Sequence, residues 1–267
     1  MKTKLAIVLI VMIFCLSPIS AGRRMSNYKL EHTNFTLQES ETQNIEIDYP
    51  QVTGLSDTEK QDRINALLKD EAFTIIGLEV ACEERLAQDP EYAEWLTRVG
   101  LYVEYDVLFQ SGEYLCVNYA GMFFARGTAH PTHLFSTVNI DMTTGEKLWM
   151  YDVINLDSDL VDTVRDYFDL YINNEVYSTV KFRSEIQDAG HFAVVYNLTL
   201  HDYRDDERFI KYFSSTGQGP GNSANFYITE DVFGIVFYVE YAAGNHYQIE
   251  IKREDIEKHL ILKDLFD

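Results

Sequence analysis

The sequence predicts an α+β fold, a mostly antiparallel sheet with helices packed on it. Three observations lead there. Short alternating apolar and polar runs recur between turn signals, which is the pattern of half-buried strands. The order is strand, helix, meander, helix, strands, helix, and not a repeating βαβ series. Aromatic residues that favour pleated surfaces are abundant, with 18 Tyr and 16 Phe among 267 residues. At 46% hydrophobic and 24% charged, the chain has the composition of a folded protein with a sizeable core.

Residues 1–22 read as an export signal. Lys2 and Lys4 precede a twelve-residue apolar run, Leu5 to Leu16; Pro18 and then Ser20, Ala21 and Gly22 follow. An uncleaved membrane anchor is the alternative, although twelve residues are short for a bilayer. Residues 23–43 are polar and aperiodic and read as a linker or tail. Residues 44–267 form the module, with room for two subdomains dividing near residue 155.

Ile45, Ile47 and Tyr49 alternate as a strand that Pro50 should end. Ser56 and Glu59 have capping-box spacing. The helix they open carries one apolar stripe, Ile64, Leu67, Leu68, Ala72, Ile75 and Ile76, and is expected to reach about Leu86. Leu101–Gln110, Glu113–Arg126 and His133–Met142 are strands, the first two joined by a Ser111-Gly112 hairpin turn. Gly121 marks a bulge or a close approach. Thr143-Thr144-Gly145 turns the chain into a short strand, Glu146–Trp149. A second helix runs from Asp157 or Ser158 to about Asn174, with Leu160, Val161, Val164, Phe168 and Tyr171 as its stripe. His191–Leu200 is a strand or buried segment, Asp202–Phe213 is helical, and Ser214–Asn225 is a candidate binding loop or mobile flap. Phe226–Ile228, Phe233–Tyr241 and His246–Ile251 close the sheet, and Arg253–Leu265 is a terminal helix.

The formal charge is −21, and removal of residues 1–22 takes away two lysines and no acids, leaving −23. Such a surface repels nucleic acid and anionic membranes and attracts cationic partners. Cys82 and Cys116 remain after cleavage. They pair in an oxidising compartment or stay as two buried thiols, and both readings stand.

No chemistry-bearing motif is strong. His130 and His133 flank Pro131 and are two imidazoles where a catalytic zinc site needs three protein ligands, so no metal or other cofactor is expected. With Asp141 they are the set on which the alternative, an envelope hydrolase, is drawn. There is no Gly-x-Ser-x-Gly elbow. Neither cysteine has the surroundings of a nucleophile. Gly217–Gly221 lacks the Lys-Ser/Thr of a phosphate loop. Acidic neighbours such as Asp205-Asp206 point different ways on a helix. Strand tyrosines, including Tyr102, Tyr105, Tyr114 and Tyr119, are divided by alternation between core and surface.

Three pieces of sequence carry a resemblance. The first is Tyr49-Pro50-Gln51-Val52 followed by Ile64-Asn65. The second is Gly127-Thr128-Ala129-His130-Pro131, then Ser136-Thr137-Val138-Asn139-Ile140-Asp141 and Thr144-Gly145-Glu146. The third is Tyr227-Ile228-Thr229-Glu230, then Tyr241-Ala242-Ala243-Gly244 and Ile249-Glu250-Ile251. Together, over residues 40–266, they resemble the module shared by the extracellular domain of the anti-sigma factor RsiV and the N-terminal region of the peptidoglycan deacetylase PdaC. The family's Gly-Gly-Ala-His stands here as Gly-Thr-Ala-His. The resemblance implies a secreted α+β module at the bacterial cell envelope. In RsiV it implies lysozyme binding, and in PdaC it accompanies a catalytic domain. Four residues precede the apolar run and none follows Asp267, so neither sigma-factor signalling nor deacetylation is expected.

The expectation is therefore a non-catalytic binding module, its partner a cell-wall glycan or a cationic wall-active protein such as lysozyme. A purely structural partner-binding domain is the further alternative. Tyr119, Arg126, His130 and His133 are the candidate binding residues. Gly127, Ala129, Asn139, Asp141 and Gly145 are expected to set strand corners and register.

Overall fold

The computed structural model describes residues 27–40, 43–75, 91, 99–125, 131–172, 207, 210, 225–238 and 246–266. Among these, six strands form one sheet in sequence order, β1 (Lys29–Ser40), β2 (Gln43–Thr53), β3 (Val99–Gln110), β4 (Tyr114–Ala125), β5 (Thr132–Asp141) and β6 (Glu146–Lys147). A second sheet of three strands is an antiparallel meander, β7 (Asn225–Ile228), β8 (Val232–Tyr238) and β9 (His246–Lys252). The longer helices are α1 (Thr58–Thr74) and α3 (Ser158–Ile172); α2 (Met150–Val153) and α4 (Arg253–Ile256) are single turns. The architecture is α+β and mostly antiparallel, with one parallel pair: Ile45–Ile47 of β2 run alongside Leu101–Val103 of β3.

The segment expected to be a linker contains β1, which pairs with β2 over nearly its whole length. Its polar composition is that of a strand at a sheet margin, where one edge and one face need no apolar partner. Phe35 supplies its anchor, edge-on to Phe73 of α1 at 5.3 Å. Strand β2 also runs past Pro50, which pairs with His32. Pro50 lies beyond the three residues where β2 bonds β3, so its missing donor interrupts no second ladder.

Helix α1 starts one residue later than the sequence suggests. Asp57, not Ser56, is the N-cap, and its carboxylate accepts from the Lys60 N–H at 2.9 Å. Ile64, Leu68, Ala72 and Phe73 are its buried face. They pack with Ile45, Ile47, Val103, Val117, Val138 and Ile140 to form one core on one side of the large sheet. Polar contacts fix the helix there. Asn65 accepts from the Val52 N–H at 2.7 Å and donates to the Val52 carbonyl at 3.0 Å. Glu71 accepts from the Ser136 hydroxyl and from Lys147 Nζ, the latter at 2.7 Å. Residues 76–90, where the helix was expected to continue and where Cys82 lies, fall outside the described residues, as do residues 191–200 and 214–224.

The three-stranded sheet covers part of the opposite face. Strand β7 lies over β5 and β4 and reaches β3, and β9 also meets β5. Phe109, Tyr114, Cys116 and Phe135 of the large sheet join Phe226, Phe233, Phe237, Ile249 and Ile251 in a second core. Helix α3 packs against β9 through Leu160, Val161, Val164 and Tyr167. Strand β5 is thus buried on both faces. The C-terminus departs from the expected helix: α4 gives way after Ile256 to a 3₁₀ turn, Glu257–His259, and Leu260 then bridges to Ile154. The Ile261 N–H bonds the Val153 carbonyl at 2.8 Å, so the C-terminal segment is tied to α2 by irregular backbone pairing.

Candidate functional site

Among the described residues, those singled out from sequence do not converge. Tyr119 is 0% exposed, and its hydroxyl donates to the Leu68 carbonyl at 2.8 Å. Burial, with Glu71 nearby, holds its phenol well above the usual range. It is a core residue that links β4 to α1, and it cannot contribute to a binding rim. Arg126, Gly127, Ala129 and His130 lie outside the described residues. His133 is exposed on β5, opposite Met122.

Asp141 ends the same strand, eight residues along, which places it roughly 27 Å from His133 at about 3.4 Å per residue. Its carboxylate accepts from the Thr143 N–H at 2.7 Å, the Thr143 hydroxyl at 2.6 Å and the Thr144 N–H at 3.3 Å. It is a turn-capping group, so a hydrolase set of His130, His133 and Asp141 is not assembled. Gly145 closes that turn at φ +77, where a Cβ would also meet Lys60 Cγ at 2.7 Å. Lys60 and Arg63 of α1 donate to the Thr143 and Thr144 carbonyls, at 3.3 and 2.7 Å, and so clamp the turn. Asn139 donates to the Phe226 carbonyl at 2.7 Å, as does the Thr137 hydroxyl. These two bonds join the large sheet to the small one.

Other reactive groups are held in unreactive states. Cys116 is a free thiol buried in the second core, accepting from the Ile228 N–H at 3.4 Å. Burial pushes it up to about 12. His246 of β9 stacks on Phe135 at 5.0 Å. Burial, with His133 nearby, lowers it to about 4, so it is neutral at physiological pH. No group of three or more His, Cys, Asp or Glu suited to a metal occurs among the described residues.

A cleft of about 350 Å³ lies at the start of α3, lined by Asp157, Asp159, Asp162, Asp166, Lys258 and His259 among others. Asp157, Asp162, Thr163 and His259 are already engaged. Asp157 caps the helix by accepting from the Leu160 N–H at 3.0 Å, and Asp162 pairs with Arg165 at 3.3 Å. The Thr163 hydroxyl donates to the Asp159 carbonyl, so it accepts from His259 Nε2–H at 3.0 Å.

Among the described residues, the strongest surface feature is the part of the large sheet that the small sheet does not cover. Beyond the reach of the small sheet, alternation turns Tyr102, Glu104 and Asp106 of β3 outward, and all three are exposed. Register places their neighbours. Tyr102 is opposite Met122 on β4 and opposite Glu46 on β2, Met122 is opposite His133 on β5, and Phe124 is opposite Gly100. Tyr102, Met122 and Phe124 are 37%, 42% and 45% exposed. Gly121 permits this row: a Cβ there would stand 2.0 Å from the Tyr102 carbonyl oxygen. It marks a close approach, and the bulge lies further along, between Val107 and Phe109.

The face is negative. The Tyr102 hydroxyl bonds Glu104. That bond, partial burial and the charges of Glu104, Asp48 and Glu46 push its phenol up to about 12. Asp48 accepts from the Asn34 amide at 2.6 Å and faces His32 at 3.6 Å, so its carboxylate is held in place. The alternation of 102, 104 and 106 was legible in sequence. Met122 and Phe124 were not, because an apolar strand end facing water has the same letters as one facing a core.

No family model and no curated protein matches the chain. The fold does match solved structures. A DUF3298 family member from Bacteroides fragilis aligns with 90% of this chain and 97% of its own at a TM-score of 0.53 and 15% identity. A DUF3298 family protein from Pseudomonas aeruginosa aligns with 88% and 94% at 0.43 and 12%. At that identity, the first likeness establishes a shared fold and no more: the chain has the α+β architecture seen in a DUF3298 family protein of the Bacteroides.

Proposed function

We propose that this chain is a secreted, non-catalytic binding module of the bacterial cell envelope, its ligand a cell-wall glycan or a cationic wall-active protein such as lysozyme. The observation that carries the reading is the open sheet face, where Tyr102, Met122 and Phe124 are exposed beside carboxylates. Contiguous exposed aromatic and thioether groups mark contact surfaces, whereas single ones do not. The leader-like residues 1–22 support export, and the three motif pieces resembling the RsiV and PdaC modules support an envelope setting. A charge of −21 supports a basic partner, since opposite charge speeds encounter and weakens with salt. A hydrolase reading has no support from the positions of His133 and Asp141.

The test is titration of the purified chain against a basic lysozyme at low and moderate salt, alongside sedimentation with insoluble peptidoglycan. Binding to either, without release of wall fragments, is the expected result. Absence of binding to both, or release of fragments by the chain alone, would overturn the reading.

A further inference from the structure

Among the described residues, the large sheet is covered on one side by α1 and, on the other, by the small sheet over part of its width. What stays open is neither uniformly polar nor uniformly apolar. Met122, Phe124 and the ring of Tyr102 occupy adjacent rows of β3 and β4 and form one apolar centre. Glu46 and Asp48 lie along β2 on one flank, and Glu104 follows Tyr102 along β3. Register sets Glu46 opposite Tyr102, and alternation along β2 and β3 puts Asp48 and Glu104 on that same face.

We propose that this open face of β2–β4 docks a basic protein surface, with Lys or Arg side chains laid across Tyr102, Met122 and Phe124 and their charged ends at Glu104 and Asp48. The inference rests on the binding-module reading and gives it a site and a class of partner. Arg and Lys fit both halves of the face. Their stems cover apolar groups while their heads reach carboxylates, and an Arg plane stacks on an aromatic ring. A wall glycan fits less well. Its peptide and lactyl carboxylates are anionic, and this face offers them mainly acceptors. A second copy of the chain, equally acidic, would meet like charge across the contact.

The experiment uses the full chain, with basic lysozyme as the probe, lysozyme with succinylated lysines as the charge control, and insoluble peptidoglycan as the glycan arm. Two variants address the face: Tyr102→Ala combined with Glu104→Gln, and Met122→Lys alone. All three positions are exposed, and circular dichroism checks each fold. Ile261→Ser, an exposed position in the C-terminal segment, is the control.

The expected result is binding of lysozyme but not of its succinylated form, weakened about tenfold or more by each face variant and unchanged by Ile261→Ser. If lysozyme binds and both folded face variants keep their affinity within about twofold, the site is wrong and the binding-module reading stands. Capture by peptidoglycan alone overturns the basic partner but keeps that reading. No binding in any arm overturns both.

Discussion

Single residues decide the corners of this molecule. Gly145 has φ +77 and sits against Lys60, so Gly145→Ala meets both backbone strain and a close contact. The expected cost is about 1–2 kcal/mol from the backbone alone, seen as a lowered urea midpoint. His246 gives a pH dependence of calculable sign. Its folded value is about 4 against an unfolded value near 6.5, so the unfolded chain binds the extra proton between them. The stabilisation is therefore complete above about pH 6.5 and is lost as pH falls toward 4, by roughly 3 kcal/mol at most. His259, lowered mainly by burial, contributes in the same direction. His246→Phe keeps a ring on Phe135 and should flatten the change in urea midpoint between pH 7 and pH 5. An unchanged slope in that variant would contradict the assignment. Asp141, Gly145 and the Thr143-Thr144 pair were readable in advance because turn chemistry is local. The burial of Tyr119 was not: its environment is set by Leu68, fifty-one positions away, through a helix that sequence alone cannot dock.

At the scale of elements, the two sheets are the informative pair. Thr137 and Asn139 both donate to the Phe226 carbonyl across the interface between the sheets. Thr137→Val with Asn139→Ala leaves that buried carbonyl without either side-chain donor. The expected cost is about 1–3 kcal/mol, with faster amide exchange in Asn225–Tyr238 than in β3 and β4. Uniform acceleration across both sheets would instead indicate one cooperative unit. Strand positions were largely legible, because alternation survives in β3, β5 and β9. The missed strand, β1, shows why some were not. Residues 29–40 have one paired edge and few core contacts, so their letters are those of a surface segment. The terminal helix failed for the opposite reason. The helical step from Ile256 to Leu260 is real, but the backbone of Ile261 pairs with Val153 and the helix does not continue.

At the scale of the molecule, an acidic chain carries, among its described residues, a sheet face with exposed apolar groups at its centre. Charge governs approach and the apolar groups govern retention, so raised salt should slow association with a basic partner more than it speeds release. The most direct measurement is hydroxyl-radical footprinting of the chain with and without saturating basic lysozyme. Methionine oxidises readily where water reaches it, and the molecule supplies its own controls: Met122 is exposed, whereas Met142 and Met150 are buried. Met122 is expected to oxidise strongly in the free chain and to be protected in the complex, together with Tyr102 and Phe124. Saturated binding that leaves Met122 as reactive as before, with protection elsewhere, would contradict it.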